Sequence, residues 1–177
     1  MNILIITQDD PFYLPENFQY LLENIPSKFE IVGVIKTKAS PFGKRESFLN
    51  KTLKTFKIFG LRFFIHYTFK FVYYKVFKSS LSKVLKKNNI SEIILSQSVN
   101  SKASLELIKK LKPDLIVSIL GNQIFKKELI NLPSKGCINL HTALLPKYRG
   151  LMPTFWVLKN NEEYTGVSVF FMDEGID

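Results

Sequence analysis

Cysteine is nearly absent from this chain. Cys137 is the single one among 177 residues, so no internal disulfide can form and a reducing, cytoplasmic setting is expected. A basic leader is missing too: Met1-Asn2-Ile3-Leu4-Ile5-Ile6-Thr7 has only a short apolar run and reads as a first strand, not an export signal. There is no internal repeat and no low-complexity linker. No Gly-x-Gly-x-x-Gly follows the first strand, where Thr7-Gln8-Asp9-Asp10 stands instead, which argues against a generic dinucleotide-binding domain. With 46% hydrophobic and 23% charged residues, the composition excludes a disordered, collagen-like or disulfide-scaffolded chain. The length suits one domain and leaves no room for two full-sized ones.

Acidic residues are missing from one long stretch. Between Glu46 and Glu92 there is none, while Lys51, Lys54, Lys57, Arg62, Lys70, Lys75, Lys78, Lys83, Lys86 and Lys87 fall inside it. These ten cations equal the net charge of +10 of the whole chain, so the remainder is neutral. The same stretch holds 11 of the 24 aromatic residues, from Phe48 to Phe77. Its longest uncharged run, Phe63–Phe69, falls far short of the ~20 residues of a bilayer span. Lysines and aromatics at mixed three- and four-residue spacings predict one or two amphipathic helices over about 47–87, broken near Gly60. A crossover helix packed on the sheet with a lysine-rich solvent face is the plain reading. A membrane-surface helix and an electrostatic platform for a phosphate-rich partner remain open beside it.

Elsewhere short apolar runs alternate with helical patterns. Strands are expected at Ile3–Ile6, Ile31–Ile35, Ile93–Leu95, Leu115–Leu120, Cys137–Leu140 and Gly166–Met172. Helices are expected from Pro15 to about Leu22, over Ser101–Leu111 before Pro113, over Lys126–Asn131 and around Thr154–Leu158. The near-continuous apolar run at Leu115 suits a strand buried on both faces of a parallel sheet. Alternating strands and helices make the fold α/β: a mostly parallel twisted sheet with helices on both faces and right-handed crossovers.

The chemistry concentrates in Cys137-Ile138-Asn139-Leu140-His141-Thr142-Ala143-Leu144-Leu145-Pro146-Lys147-Tyr148-Arg149-Gly150. Asn139 and His141 lie two apart at a strand end, so both side chains take one face. Ligands of open α/β sheets bind beyond the carboxyl ends of strands. A carboxamide beside an imidazole supplies an oxyanion donor and a group that moves protons near neutral pH. Alone, that pair is a weak signal and reads first as a merely hydrogen-bonded strand end. Cys137 reads as a buried small hydrophobe, Trp156 as a core residue with an active-site wall as the alternative, and His66 as non-catalytic.

The wider pattern of Asn-x-His, Leu-Leu-Pro, a basic-aromatic pair and Gly resembles the 10-formyltetrahydrofolate-dependent formyltransferase family, which includes glycinamide ribonucleotide, methionyl-tRNA and sugar N-formyltransferases. Met172-Asp173-Glu174-Gly175-Ile176-Asp177 sets an aspartate 36 residues after His141, as that pattern requires. Pro153-Thr154-Phe155-Trp156, Thr165-Gly166-Val167-Ser168-Val169, Pro113-Asp114-Leu115-Ile116-Val117-Ser118 and Gly121-Asn122-Gln123-Ile124 resemble it too. The match is good over about 105–177 and looser over 1–40; residues 41–92 do not match. It implies a single Rossmann-like catalytic domain over 1–177, incomplete at the C-terminus.

The resemblance further implies a catalytic triad of Asn139, His141 and Asp177. Asn139 would donate to the developing oxyanion, His141 would assist proton transfer, and Asp177 would orient His141. The formyl donor would be 10-formyltetrahydrofolate, held by Leu120, Gly121, Asn122, Gln123 and Ile124 with Leu144 over its face. Lys147 and Arg149 would bind its glutamate tail or an acceptor phosphate. No metal is implied. The acceptor would be a small primary amine, foremost a nucleotide-linked amino sugar, with methionyl-tRNA as the enzymatic alternative. Outside enzymes, the alternative is an inactive fold remnant that makes peripheral membrane or partner contact through residues 47–87.

Overall fold

The computed structural model describes residues 1–37, 47–121 and 123–175. In chain order its elements are β1 (Asn2–Gln8), α1 (Leu14–Asn24), β2 (Glu30–Thr37), α2 (Phe48–Phe77), α3 (Leu81–Lys87), β3 (Glu92–Ile93), α4 (Lys102–Lys110), β4 (Leu115–Ile119), α5 (Lys127–Ile130), β5 (Cys137–His141), α6 (Pro153–Lys159) and β6 (Ser168–Phe171). The sheet order is β3-β2-β1-β4-β5-β6. The first five strands run parallel and β6 runs antiparallel to β5.

β1 occupies the middle because its apolar run can be buried on both faces. Alternating residues divide between two cores. Leu4 and Ile6 join Ile35, Ile108, Ile116, Phe125, Leu129 and Cys137 on one side. On the other, Ile3 and Ile5 join Leu14, Phe18, Val34, Leu81, Val84 and Leu85. So α1 and α3 cover one face of the sheet, and α4 and α5 the other, as the α/β reading expected. Polar side chains hold several of the helix starts. Asp10 accepts from the amides of Tyr13 (2.8 Å) and Leu14 (3.0 Å) ahead of α1, and Ser101 accepts from Ser104 N at 3.2 Å ahead of α4. The reversed direction of β6 follows from its entry point. Ser168 pairs with His141, so the chain re-enters at the carboxyl end of β5 and can only run back.

α2 departs from the plain reading of the basic segment. Gly60 interrupts it at φ 76° and ψ 176°, a region essentially open only to glycine, so two helical halves meet there as the sequence suggested. However, none of its described residues enters either core cluster. The second half instead rests one face on the segment leaving β1. Phe12 meets Tyr67 at 5.2 Å, Tyr74 at 5.5 Å and Phe71 at 6.4 Å between ring centroids. Lys70 donates to the Tyr13 hydroxyl at 2.8 Å, and just past the helix Lys78 pairs with Glu16 at 2.8 Å. With apolar residues all round, the helix cannot hide them all in one contact, and the sheet it was expected to cover is already occupied by α1 and α3.

The two-core arrangement makes a graded prediction. Leu4→Ala, at a position with no exposure, should cost about 2–5 kcal/mol, read as a fall in the urea midpoint. Val169→Ala on β6, 61% exposed, should stay within about 0.5 kcal/mol. Equal losses would contradict β1 as the buried centre.

Candidate functional site

β5 carries the two residues of interest. Asn139 is flanked in register by Ser118 on β4 and Phe170 on β6. Strand alternation puts its side chain on the face where Cys137 joins the core. Past β4 the backbone turns tightly: Leu120 has φ 55°, and a side chain built on Gly121 would collide with Ser118 Oγ. With glycine here the loop lies against the strand without displacing the Ser118 hydroxyl.

Beside Asn139 opens a pocket of about 250 Å³. Ser118, Gly121, Gln123, Ile124, Phe125 and Arg149 line it, together with Gly150, Leu151, residues 170–173 and Gly175. The 121–125 wall is tied from outside. Gln123 Oε1 accepts from Ser98 Oγ (3.0 Å) and Val99 N (3.1 Å). The Asn100 carboxamide donates to Ile124 O at 2.8 Å and accepts from Lys126 N at 2.8 Å.

His141 ends β5 and is 6% exposed. Its Nε2 lies 2.8 Å from Tyr148 O. A carbonyl can only accept, so this nitrogen is the donor and its proton is fixed there. The loop supplying that carbonyl is held at two further points. Ser168 Oγ donates to Ala143 O at 2.8 Å and accepts from Leu145 N at 3.0 Å. Tyr148 donates its hydroxyl to Glu162 at 2.5 Å, and Lys147 pairs with the same carboxylate at 3.3 Å. The Tyr148 hydroxyl, then Lys147, hold the Glu162 carboxyl below its usual range, while Glu162 raises the Tyr148 phenol.

Among the sequence candidates, Asn139, Gly121, Gln123, Ile124 and Arg149 share the one pocket. Two residues on, His141 follows along the same strand. The Leu120 side chain packs against the opposite core, and Leu120 is not among the residues that line the pocket. Leu144 rests on Gly166, with a side chain there falling 2.6 Å from Leu144 Cδ2. Lys147 is directed to Glu162. Asn122 and Asp177 lie outside the described residues.

Tyr148, Glu162, Ser168 and Asn100 were not picked out by sequence reasoning. Ser168 did leave a signal, as a polar residue inside an apolar strand run. Trp156, expected in the core, is 42% exposed. It meets Phe155 at 5.3 Å, with Lys159 4.8 Å over its ring. Cys137 is buried, its Sγ 3.7 Å from the carbonyls of Leu129 and Ile130. Burial pushes the thiol up to about 12, which leaves no thiolate to act as a nucleophile at neutral pH. Among the described residues, no group of His, Cys, Asp and Glu could hold a metal ion.

Comparison with known proteins matches residues 1–177 to the family model described as Formyl transferase. The methionyl-tRNA formyltransferase of Clostridioides difficile is 43% identical over 103 residues, covering 58% of this chain and 33% of that protein. That of Kosmotoga olearia is 28% identical over 173 residues, 98% of this chain and 45% of that protein. The chain thus spans between a third and a half of these relatives. Among solved structures, phosphoribosylglycinamide formyltransferase from Anaplasma phagocytophilum superposes with a TM-score of 0.67 at 12% identity, covering 100% of this chain and 67% of that one. A formyltetrahydrofolate deformylase from Pseudomonas syringae gives 0.62 at 12% identity, covering 99% and 47%. At such identities the likeness is one of fold.

Ser168 carries the next prediction. Ser168→Ala removes both hydrogen bonds that clamp residues 143–145, so it should cost about 1–3 kcal/mol in chemical denaturation. Faster amide exchange at Leu145 should accompany it. Unchanged exchange at Leu145 would show that the clamp does not hold the loop.

Proposed function

The chain belongs to the formyl transferase family, and on that premise we propose that it moves a formyl group from 10-formyltetrahydrofolate to a primary amine. The observation that carries this reading is Asn139 in the pocket between the β4 loop and β6, with His141 two residues on along one face of β5.

The lining of the pocket supports a pterin-bearing donor. A pterin is flat, apolar on its faces and studded with hydrogen-bonding groups along one edge. Main-chain groups of Leu120–Ile124 would meet that edge, with Asn122 among them. Phe125, Leu151 and Phe170 offer apolar walls, and Leu144 would cover a face if its loop closed inward. Arg149 lines the pocket and suits a carboxylate or phosphate bidentately. Lys147 would serve the same anion only after releasing Glu162. When bound, the donor supplies an activated formyl carbon open to attack by an amine. Asn139 would donate a hydrogen bond to the oxygen that gains charge. With Nε2 committed to Tyr148 O, His141 would exchange a proton through Nδ1. Asp177 would polarise that ring or relay its proton through water.

An amino sugar is the small-molecule acceptor we propose first. Methionyl-tRNA is the second reading. Relatives bearing that activity in their names favour it, as do Lys83, Lys86 and Lys87 in the acid-free stretch, which could meet a polyanion.

Both parts yield to one set of measurements. Calorimetric titration with a stable 10-formyltetrahydrofolate analogue should give saturable one-to-one binding. Asn139→Ala should bind the analogue yet lose about a hundred- to a thousandfold in formyl transfer. Wild-type turnover with amino sugars but not with methionyl-tRNA selects the first acceptor, and the converse selects the second. Folded protein that neither binds the analogue nor transfers formyl groups to either acceptor would refute the proposal.

A further inference from the structure

The second half of α2 has two unlike faces. Tyr67, Lys70, Phe71 and Tyr74 turn toward Phe12 and Tyr13. On the opposite side, Leu61, Ile65, Phe69, Val72 and Val76 recur at helical intervals of three and four, forming one continuous stripe. All five are exposed: 61, 46, 73, 51 and 65% in that order. Arg62 and Lys75 fall on either side of the stripe by the same periodicity. The helix contains six cations and no carboxylate.

We propose that this stripe is a docking surface for an anionic lipid bilayer, in which α2 lies along the interface with Leu61, Ile65, Phe69, Val72 and Val76 in the acyl region and Arg62 and Lys75 among the headgroups. A solvated helix face would carry polar residues at the stripe positions. A nucleic-acid face would set cations and aromatic planes at its centre, whereas four of these five residues are aliphatic. Long cationic side chains flanking an apolar stripe are what an interfacial helix needs, because their stems reach from the apolar zone to the phosphates. Charge complementarity selects anionic over zwitterionic lipid. No helix among the described residues is long and apolar enough to cross a membrane, so the contact is one of lying on the surface. α2 rests on the segment leaving the carboxyl end of β1, the end at which β5 delivers His141. Docking would therefore bring the site's end of the sheet toward the lipid, whichever amine the protein formylates.

The test is co-sedimentation of the purified protein with vesicles of phosphatidylcholine, with and without phosphatidylglycerol, at low and high salt. Binding should require phosphatidylglycerol and weaken with salt. Arg62→Glu with Lys75→Glu should lower it at least about tenfold, and so should Phe69→Ser with Val76→Ser. Circular dichroism of each variant should match the wild type, since these side chains lie outside both cores; single substitutions serve if a double variant is unfolded. Tryptophan introduced as Phe69→Trp should blue-shift on phosphatidylglycerol vesicles alone. Equal binding to both vesicle types, or none by folded protein, would overturn the proposal. So would tRNA binding lost in the charge variant but kept in the stripe variant, with no lipid binding. Self-association in sedimentation velocity, abolished by the stripe variant and unaffected by lipid, would overturn it in favour of a second copy.

Discussion

β1 is hydrogen-bonded along both edges and buried on both faces, and the rest of the domain is arranged around that commitment. Its apolar run excludes any edge position, so β2 must lie on one side and β4 on the other. The chain therefore builds outward in one direction through β2 and β3, then crosses back to lay β4, β5 and β6. Parallel pairing puts the carboxyl ends of the first five strands at one end of the sheet, and the loops that follow β4 and β5 gather there. The catalytic candidates inherit their location from an apolar strand that contains none of them.

Around the site, polar groups interrupt strands that are otherwise apolar, each for an identifiable reason. Ser118 Oγ fills the space that a side chain at Gly121 would need, so the loop folds back over β4 against it. Ser168 uses both capacities of its hydroxyl to hold the turn after β5. His141 is buried because Tyr148 returns a carbonyl to it, and that loop is steadied in turn by Glu162. A buried imidazole without such a partner would be costly. The result is a ring fixed by backbone geometry, two residues along the strand from a carboxamide that lines the pocket.

Much of this was legible from the residues. All six strands lie within a residue or two of the apolar runs that announced them. β3 is only Glu92–Ile93, since it pairs with β2 at the sheet margin alone. The break at Gly60 was readable because glycine in a helical run has few other uses. The direction of β6 was not, since strand polarity follows from where the chain re-enters the sheet, a long-range property. Nor was the partner of His141, because a main-chain carbonyl leaves no mark on residue identity. Trp156 misled for a related reason: its hydropathy favours burial, but α6 is short and turns Val157 inward instead. The acid-free segment disclosed its helices and its break, but not that α1 and α3 would occupy the sheet face first.

The central place of β1 also has a timing. Asn2 and Asp114, hydrogen-bonded to each other in the folded chain, are 112 residues apart. At synthesis rates of roughly 5–20 residues per second, on the order of ten seconds separates the appearance of β1 from that of the strand that seals its second edge. The bent aromatic helix leaves the ribosome inside that interval. It is exposed to its surroundings before the sheet beside it can close, so a nascent chain presents this aromatic helix to other surfaces well before β5 has been made.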